Sequence, residues 1–180
     1  MQWWEWIVVS AAIALLLVLV IAFVQVRRRR SHLKERFGTE YYRAVSSEGT
    51  TSGEKHLRKV ERERDEMEIR PVTRAARDRY LEEWRLVEAR FVSDPHESAR
   101  GAERLVARAL EERGYPAVED TDERTAVVAV DHADVAERYR HAYAMLSRVD
   151  GAESTESLRK AMLDFRAVLD ELLEGELATV

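Results

Sequence analysis

The sequence predicts an all-α chain: an N-terminal transmembrane helix, then a flexible hinge, then an antiparallel helical bundle. Three observations predict it. No charged residue interrupts the run from Ile7 to Val24. Beyond residue 55, apolar residues recur at spacings of three and four, the period of a one-sided helix. Pro, Gly, Ser, Thr and Asp punctuate that period where helices should stop and restart. The expected division is an anchor with a basic stop-transfer flank over 1–30, a juxtamembrane helix and hinge over 31–54, a cytoplasmic bundle over 55–174 and a tail over 175–180.

The anchor is set by length and flanks. A helix rises about 1.5 Å per residue, so roughly 20 apolar residues cross a hydrocarbon core of about 30 Å. Ile7 to Val26 meets that length. Trp3, Trp4 and Trp6 stand at one end, where indole rings favour the interface. Arg27, Arg28, Arg29 and Arg30 stand at the other, where guanidinium groups stay in water and meet anionic headgroups. A cleaved signal peptide would carry its basic residues before the apolar run, with a small-residue cleavage site after it. Here the leading flank holds Glu5 and no Lys or Arg. A retained single pass is expected, with the N-terminus outside and residues 27–180 on the cytoplasmic side of the cell membrane.

Ser31 to Ala44 reads as a helix interrupted at Gly38. Arg27 to Arg43 carries seven Lys/Arg against Glu35 and Glu40. Setting aside Arg27–Arg30 and Glu5 leaves 25 basic and 33 acidic residues for the rest of the chain. That acidic balance disfavours nucleic acid, since phosphate binding needs a net basic face. VSSEGTTSGE (Val45 to Glu54) is small, polar and aperiodic, which predicts a flexible hinge. EKHLRKVERERDEMEI then predicts a solvated helix with a narrow seam of Leu57, Val60 and Met67, Arg64 in line. A coiled-coil partner helix is the lesser alternative, since few heptads are present.

Arg70-Pro71 breaks the chain and Thr73 can cap the next helix. Along it Tyr80, Trp84, Val87 and Phe91 form one apolar face. Asp94-Pro95 reads as N-cap and first residue of another helix, which presents Ala99, Ala102, Leu105, Val106 and Ala109. Gly114 suits a left-handed stop, with Tyr115 folding back on the last turn and Pro116 blocking continuation. In VEDTDERTAVVAV, a strand at Ala126 to Val130 has no visible partner, so a short helix or irregular segment is expected. From Asp131 a helix should bury Val135, Tyr139, Ala142, Met145 and Val149. Ser154 or Thr155 should cap the last helix, with Leu158, Met162, Phe165, Leu169 and Leu172 inside. These read as four amphipathic helices in one bundle.

The motifs FVSDPHESARGAERLVARALEERGYP, VDHADVAERYRHAY and STESLRKAMLDFRAVLDELL, preceded by IRPVTRAARDRYLEEWRLVEARF, carry a resemblance. They resemble a family of uncharacterised bacterial single-pass membrane proteins. The resemblance implies an N-terminal span and a helical cytoplasmic domain, and no catalytic residue. Ala133 stands where the family pattern has proline, and Tyr143 where it has histidine.

Reaction motifs are absent. There is no cysteine, so no thiolate metal site or cysteine nucleophile. His32, His56, His96, His132 and His141 show no ligand spacing, and no phosphate loop or serine-nucleophile pattern occurs. No cofactor or metal is expected. The candidate polar cluster is Arg113, Tyr115, Asp131, His132, Tyr139 and Arg140, with Glu156, Arg159 and Arg166 also at helix ends or turns. Asp131 could cap a helix, and Arg113, Tyr115 and Arg140 could meet where the RGYP turn faces the YR-bearing helix. These groups either fasten the turns or fork an anion. The expected role is a tethered module binding a protein partner at the inner leaflet; the alternative is a small-ligand sensor or enzyme using the Arg/His cluster.

Overall fold

Gly38 and Gly49 turn the N-terminal third of the chain back on itself, and both adopt positive φ, 53° and 81°. A side chain is disfavoured in that conformation, so glycine ends one helix and lets the next begin at once. In the computed structural model, which describes residues 3–117, 120–148 and 153–174, they separate α1 (Trp3–Phe37), α2 (Thr39–Glu48) and α3 (Thr50–Asp65). α4 (Arg74–Arg90), α5 (Pro95–Glu112), α6 (Thr121–Asp131), α7 (Ala133–Ser147) and α8 (Glu153–Glu174) follow. The described residues hold no strand. The chain is all-helical.

The hinge expected over Val45–Glu54 is instead two helix ends meeting at Gly49. Its glycines serve packing and turning. A Cβ on Gly53 would sit 2.6 Å from the Ala44 carbonyl oxygen, so only glycine lets α3 lie this close to α2. The juxtamembrane segment therefore joins the main core: Leu33, Phe37 and Tyr41 are buried in one cluster with Leu57, Val60 and the later helices. Among the described residues eight helices stand where the sequence predicts an anchor, a juxtamembrane helix, a hinge, a solvated helix and a bundle of four.

Stops and starts in the second half follow their residues. The Thr73 side chain accepts from the Ala76 N–H, and Asp94 accepts from that of Glu97. At the end of α5, Gly114 N–H donates to the Glu111 carbonyl and Tyr115 N–H to that of Leu110, the paired bonds of a Schellman stop. Gly114 has φ 101°, and a Cβ there would meet the Glu68 carbonyl oxygen at 2.5 Å. Tyr80, Trp84, Ala99, Ala102, Leu105, Val106 and Ala109 are buried as their spacing requires, as are Val135, Tyr139, Ala142, Leu158, Met162, Phe165, Leu169 and Leu172. Val149 lies outside the described residues. Ser154 and Thr155 fall inside α8 rather than before it.

Ala126–Val130 is neither strand nor irregular. It lies in α6, where Asp120 caps the start by accepting from Asp122 and Glu123 N–H groups. All six residues from Thr125 to Val130 are buried. A helix apolar on every side belongs in the middle of a domain, and α6 packs against α1, α3 and α7. The β-branched run that imitates a strand is the central helix.

α1 shows the opposite condition. Its eleven large apolar side chains described between Ile13 and Val26 are all exposed, from 39% at Val24 to 64% at Phe23. Among the described residues, no helix is long and apolar enough to cross a membrane. The side chains of Trp3, Trp4 and Trp6, of Ile7 to Ala12, of Ala14 and of Arg29 lie outside the described set. So does much of the expected span.

Candidate functional site

The six polar residues singled out in the sequence do not converge. They belong to separate knots, three of which pin the ends of α6.

At the C-terminal end of α6, the Asp131 carboxylate accepts from the Tyr115 hydroxyl (2.7 Å) and from Arg64 Nε of α3 (2.5 Å). Asp131 was expected to cap α7. That position is His132, which makes no side-chain cap bond, because both α3 and the α5 stop claim Asp131. The Tyr115 backbone folds back to Leu110 of α5, while its hydroxyl reaches across to α6. Burial first, and then the hydrogen bond to Asp131, push its phenol well above the ordinary tyrosine range. A phenol held protonated this way neither accepts nor gives up a proton near neutrality.

A second knot lies near the N-terminal end. Arg124 Nη1 donates to the Tyr139 hydroxyl (2.7 Å), which donates to Glu103 Oε1 of α5 (2.8 Å), and Arg124 also pairs with Glu103. Burial again comes first in raising Tyr139, followed by the Glu103 charge. The ring stacks edge-on against Phe165 at 5.8 Å.

The third knot holds Arg140. Its guanidinium pairs with Glu40 of α2, donates to the Thr125 hydroxyl and lies 3.6 Å from Asp122. Glu40 is only 5% exposed. Burial pulls Arg140 down to about 10; Glu40 and Asp122 oppose that, and either way the group stays charged at neutral pH. The adjoining groove, about 400 Å³, is lined by Glu40, Glu48, Glu63, Asp120, Asp122 and Glu123 among others. An anion entering beside Arg140 would face mainly carboxylates.

Arg113 belongs to none of these. Its Nη1 donates to the Leu172 carbonyl (2.9 Å), satisfying the last turn of α8. Glu156 and Arg159 pair with each other on the surface, and Arg166 pairs with Asp170 and lies over Trp84. The expected meeting of Arg113, Tyr115 and Arg140 therefore does not occur: they bond to α8, α6 and α2 with α6.

The partners that sequence reasoning missed are Glu40, Glu103, Arg124 and Thr125. Each is 15 or more residues from the group it serves, and no local spacing announces such a pair. Arg64 did carry a signal, standing in line with the Leu57–Val60 seam.

A groove of about 530 Å³ runs along α4 and α5. Leu86, Val87, Gly101 and Ala107 line it, together with Arg90, Arg104 and Arg108. Arg104 pairs with Glu97 and Arg108 with Glu83. Among the described residues, no group of three or more His, Asp or Glu is placed to hold a metal ion. No family model, curated protein or solved structure matches the chain. The family resemblance stands on its motifs alone.

Proposed function

We propose that this chain is a membrane-tethered helical module: α1 crosses the bilayer once, and the domain at its end binds a protein partner at the cytoplasmic face of the membrane. One observation carries the reading. The exposed apolar length of α1 runs without a break into a buried end, Leu33 and Phe37 being 2% and 0% exposed. Monomeric soluble proteins rarely leave so long an apolar surface bare, and lipid is the cover its length fits. The uncharged sequence from Ile7 supplies the rest of the span, and Arg27–Arg30 set the orientation.

The knots support a binding module over a reaction site. Asp131, Glu103 and Glu40 each hold a partner that bridges helices, so their geometry fastens the fold. The sensor-or-enzyme alternative has less support, since Arg113, Tyr115 and Arg140 bond to α8, α6 and α2 instead of facing one another. The open α4–α5 groove, with Leu86 67% exposed on its lip, is the surface that suits a partner best.

The test is cell fractionation with an alkaline wash, with a reporter fused after Val180. Retention in the membrane and a cytoplasmic reporter are expected. Recovery in the washed supernatant, or an exported reporter, would overturn the tether. Crosslinking in native membranes from a photoreactive residue at Leu86 tests the groove, and the absence of any protein adduct would count against it.

A further inference from the structure

The position of the α2–α3 turn follows from helix geometry, and it gives VSSEGTTSGE a role that its composition alone conceals. α3 runs parallel to the end of α1, because Arg30 pairs with Glu54 at 3.1 Å while Arg36 pairs with Glu61 and Asp65 at 2.6 and 3.1 Å. α2 runs back between them, with Lys34 over the Tyr41 ring at 5.3 Å. Two counts then place the turn. The ten residues of α2 descend about 15 Å from Gly38, to the level of Arg28. Counting instead from Glu54, level with Arg30, Thr50 lies about 6 Å further down, near Val26. Both counts end where the apolar run gives way to the arginines.

We infer that Ser46–Ser52 is a lipid-facing surface, seated among phospholipid headgroups by the rigid α1–α2–α3 arrangement. This inference rests on α1 crossing the bilayer. All seven residues are exposed. Five carry hydroxyls; those of Ser46 and Ser47 donate to the Arg43 carbonyl within α2, so Thr50, Thr51 and Ser52 supply the donors for lipid, and the single charge, Glu48, is paired with His56 at 3.3 Å. Hydroxyl donors suit phosphate and ester oxygens, and a hydrogen-bonded uncharged group escapes the far larger desolvation cost that an ion meets near hydrocarbon. The neighbouring Arg27, Arg28 and Arg30 make the layer cationic on balance, which fits anionic lipid.

The chain has no cysteine, so single-cysteine variants carry one fluorophore without ambiguity. Leu16→Cys, Thr51→Cys and Glu66→Cys are prepared in the full chain, with Ser52→Cys replacing Thr51→Cys if that variant melts early. Each is reconstituted in phosphatidylcholine–phosphatidylglycerol vesicles bearing a nitroxide at the headgroup or at mid-chain. Thr51 and Glu66 lie about 22 Å apart along α3, whereas the headgroup layer is only about 5–8 Å deep on each side. The headgroup nitroxide should therefore quench the label at 51 at least roughly fivefold more than that at 66. The mid-chain nitroxide should quench the label at 16. Quenching at 16 without quenching at 51 overturns the headgroup seat and leaves the tether standing. Equal quenching at 51 and 66 overturns it too, as a domain lying flat. No quenching at 16 overturns the tether itself, and this inference with it.

Discussion

Two stretches of this chain are apolar on every side of a helix, and they meet opposite fates. Thr125–Val130 of α6 is buried by its neighbours, whereas Ile13–Val26 of α1 is bare. The hydrophobic effect treats both alike, since each loses free energy in water in proportion to its apolar area. What differs is length and what surrounds them. The eleven residues of α6 reach about 16 Å, far short of a bilayer, and polar knots pin both ends inside the domain. The apolar run of α1 from Ile7 to Val26 reaches about 30 Å, and among the described residues its buried apolar side chains begin at Leu33. An all-round apolar helix is thus a demand for cover; protein meets it at α6, and under the proposed tether lipid meets it at α1.

The strongest way to break the comparison places the same charge in each helix. Leu16→Arg with Leu17→Arg should oppose insertion by roughly 5–7 kcal/mol, releasing the chain from membranes while the domain melts as before. Val128→Arg should do the reverse. An unpaired charge forced among Ala126, Val127 and Val130 costs several kcal/mol, a large share of a domain's whole stability, so the fold should melt while the chain stays membrane-bound. Fractionation and thermal melting on both variants decide the matter; equal effects on both readouts would dissolve the distinction.

Next in size are core truncations. Phe37→Ala, on the buried end of α1, and Trp84→Ala, on α4, should each cost about 3–5 kcal/mol. A Phe37→Ala protein with unaltered denaturant midpoint would mean that α1 merely leads to the domain without belonging to it. Smaller again is Asp131→Asn. It weakens hydrogen bonds from Tyr115 and Arg64 and should cost about 1.5–3 kcal/mol by the same assay.

Alkaline pH probes the knots without mutation. Folding raises the Tyr115 and Tyr139 phenols above their ordinary 10.0, chiefly by burial. Above that value the folded chain holds protons that the unfolded chain has lost, so stability is intact below it and falls as pH rises past it. Melting temperatures across this range, with phenolate absorbance followed in parallel, should show Tyr115 and Tyr139 ionising only as the fold gives way, with Tyr80, raised to about 12, and Tyr41 also held above the ordinary value. Early ionisation of all six would contradict the knots. The smallest effect is expected for Arg85→Ala, which breaks an exposed pair with Glu82 and should change stability by less than about 0.5 kcal/mol.

Much of this fold was legible, wherever one residue type has one physical use. Thr73, Asp94-Pro95 and Gly114 announce helix ends because capping oxygens, a fixed φ and a missing Cβ act locally. The Tyr80–Trp84 and Leu158–Leu172 faces were legible from periodicity. Composition misled at Val45–Glu54, since glycine signals flexibility as readily as close approach, and only the Ala44 carbonyl beside Gly53 tells which applies. Periodicity failed at Ala126–Val130, because a fully buried helix has no polar side to set the period. The candidate site was the least legible part. Arg140 and Glu40 are a hundred residues apart in sequence, and nothing local joins them.

The central claim is that one unbroken helix carries the domain on the bilayer, with no hinge between span and core. Spin labels at Leu16→Cys and Glu66→Cys, in the full chain reconstituted in lipid nanodiscs, test it most directly by electron–electron double resonance. Glu66 follows Asp65, which is level with Arg36, so the separation along the helix axis is about 30 Å. The account predicts a single narrow distance distribution near that value. A broad distribution spreading over tens of ångströms would restore the hinge and contradict it.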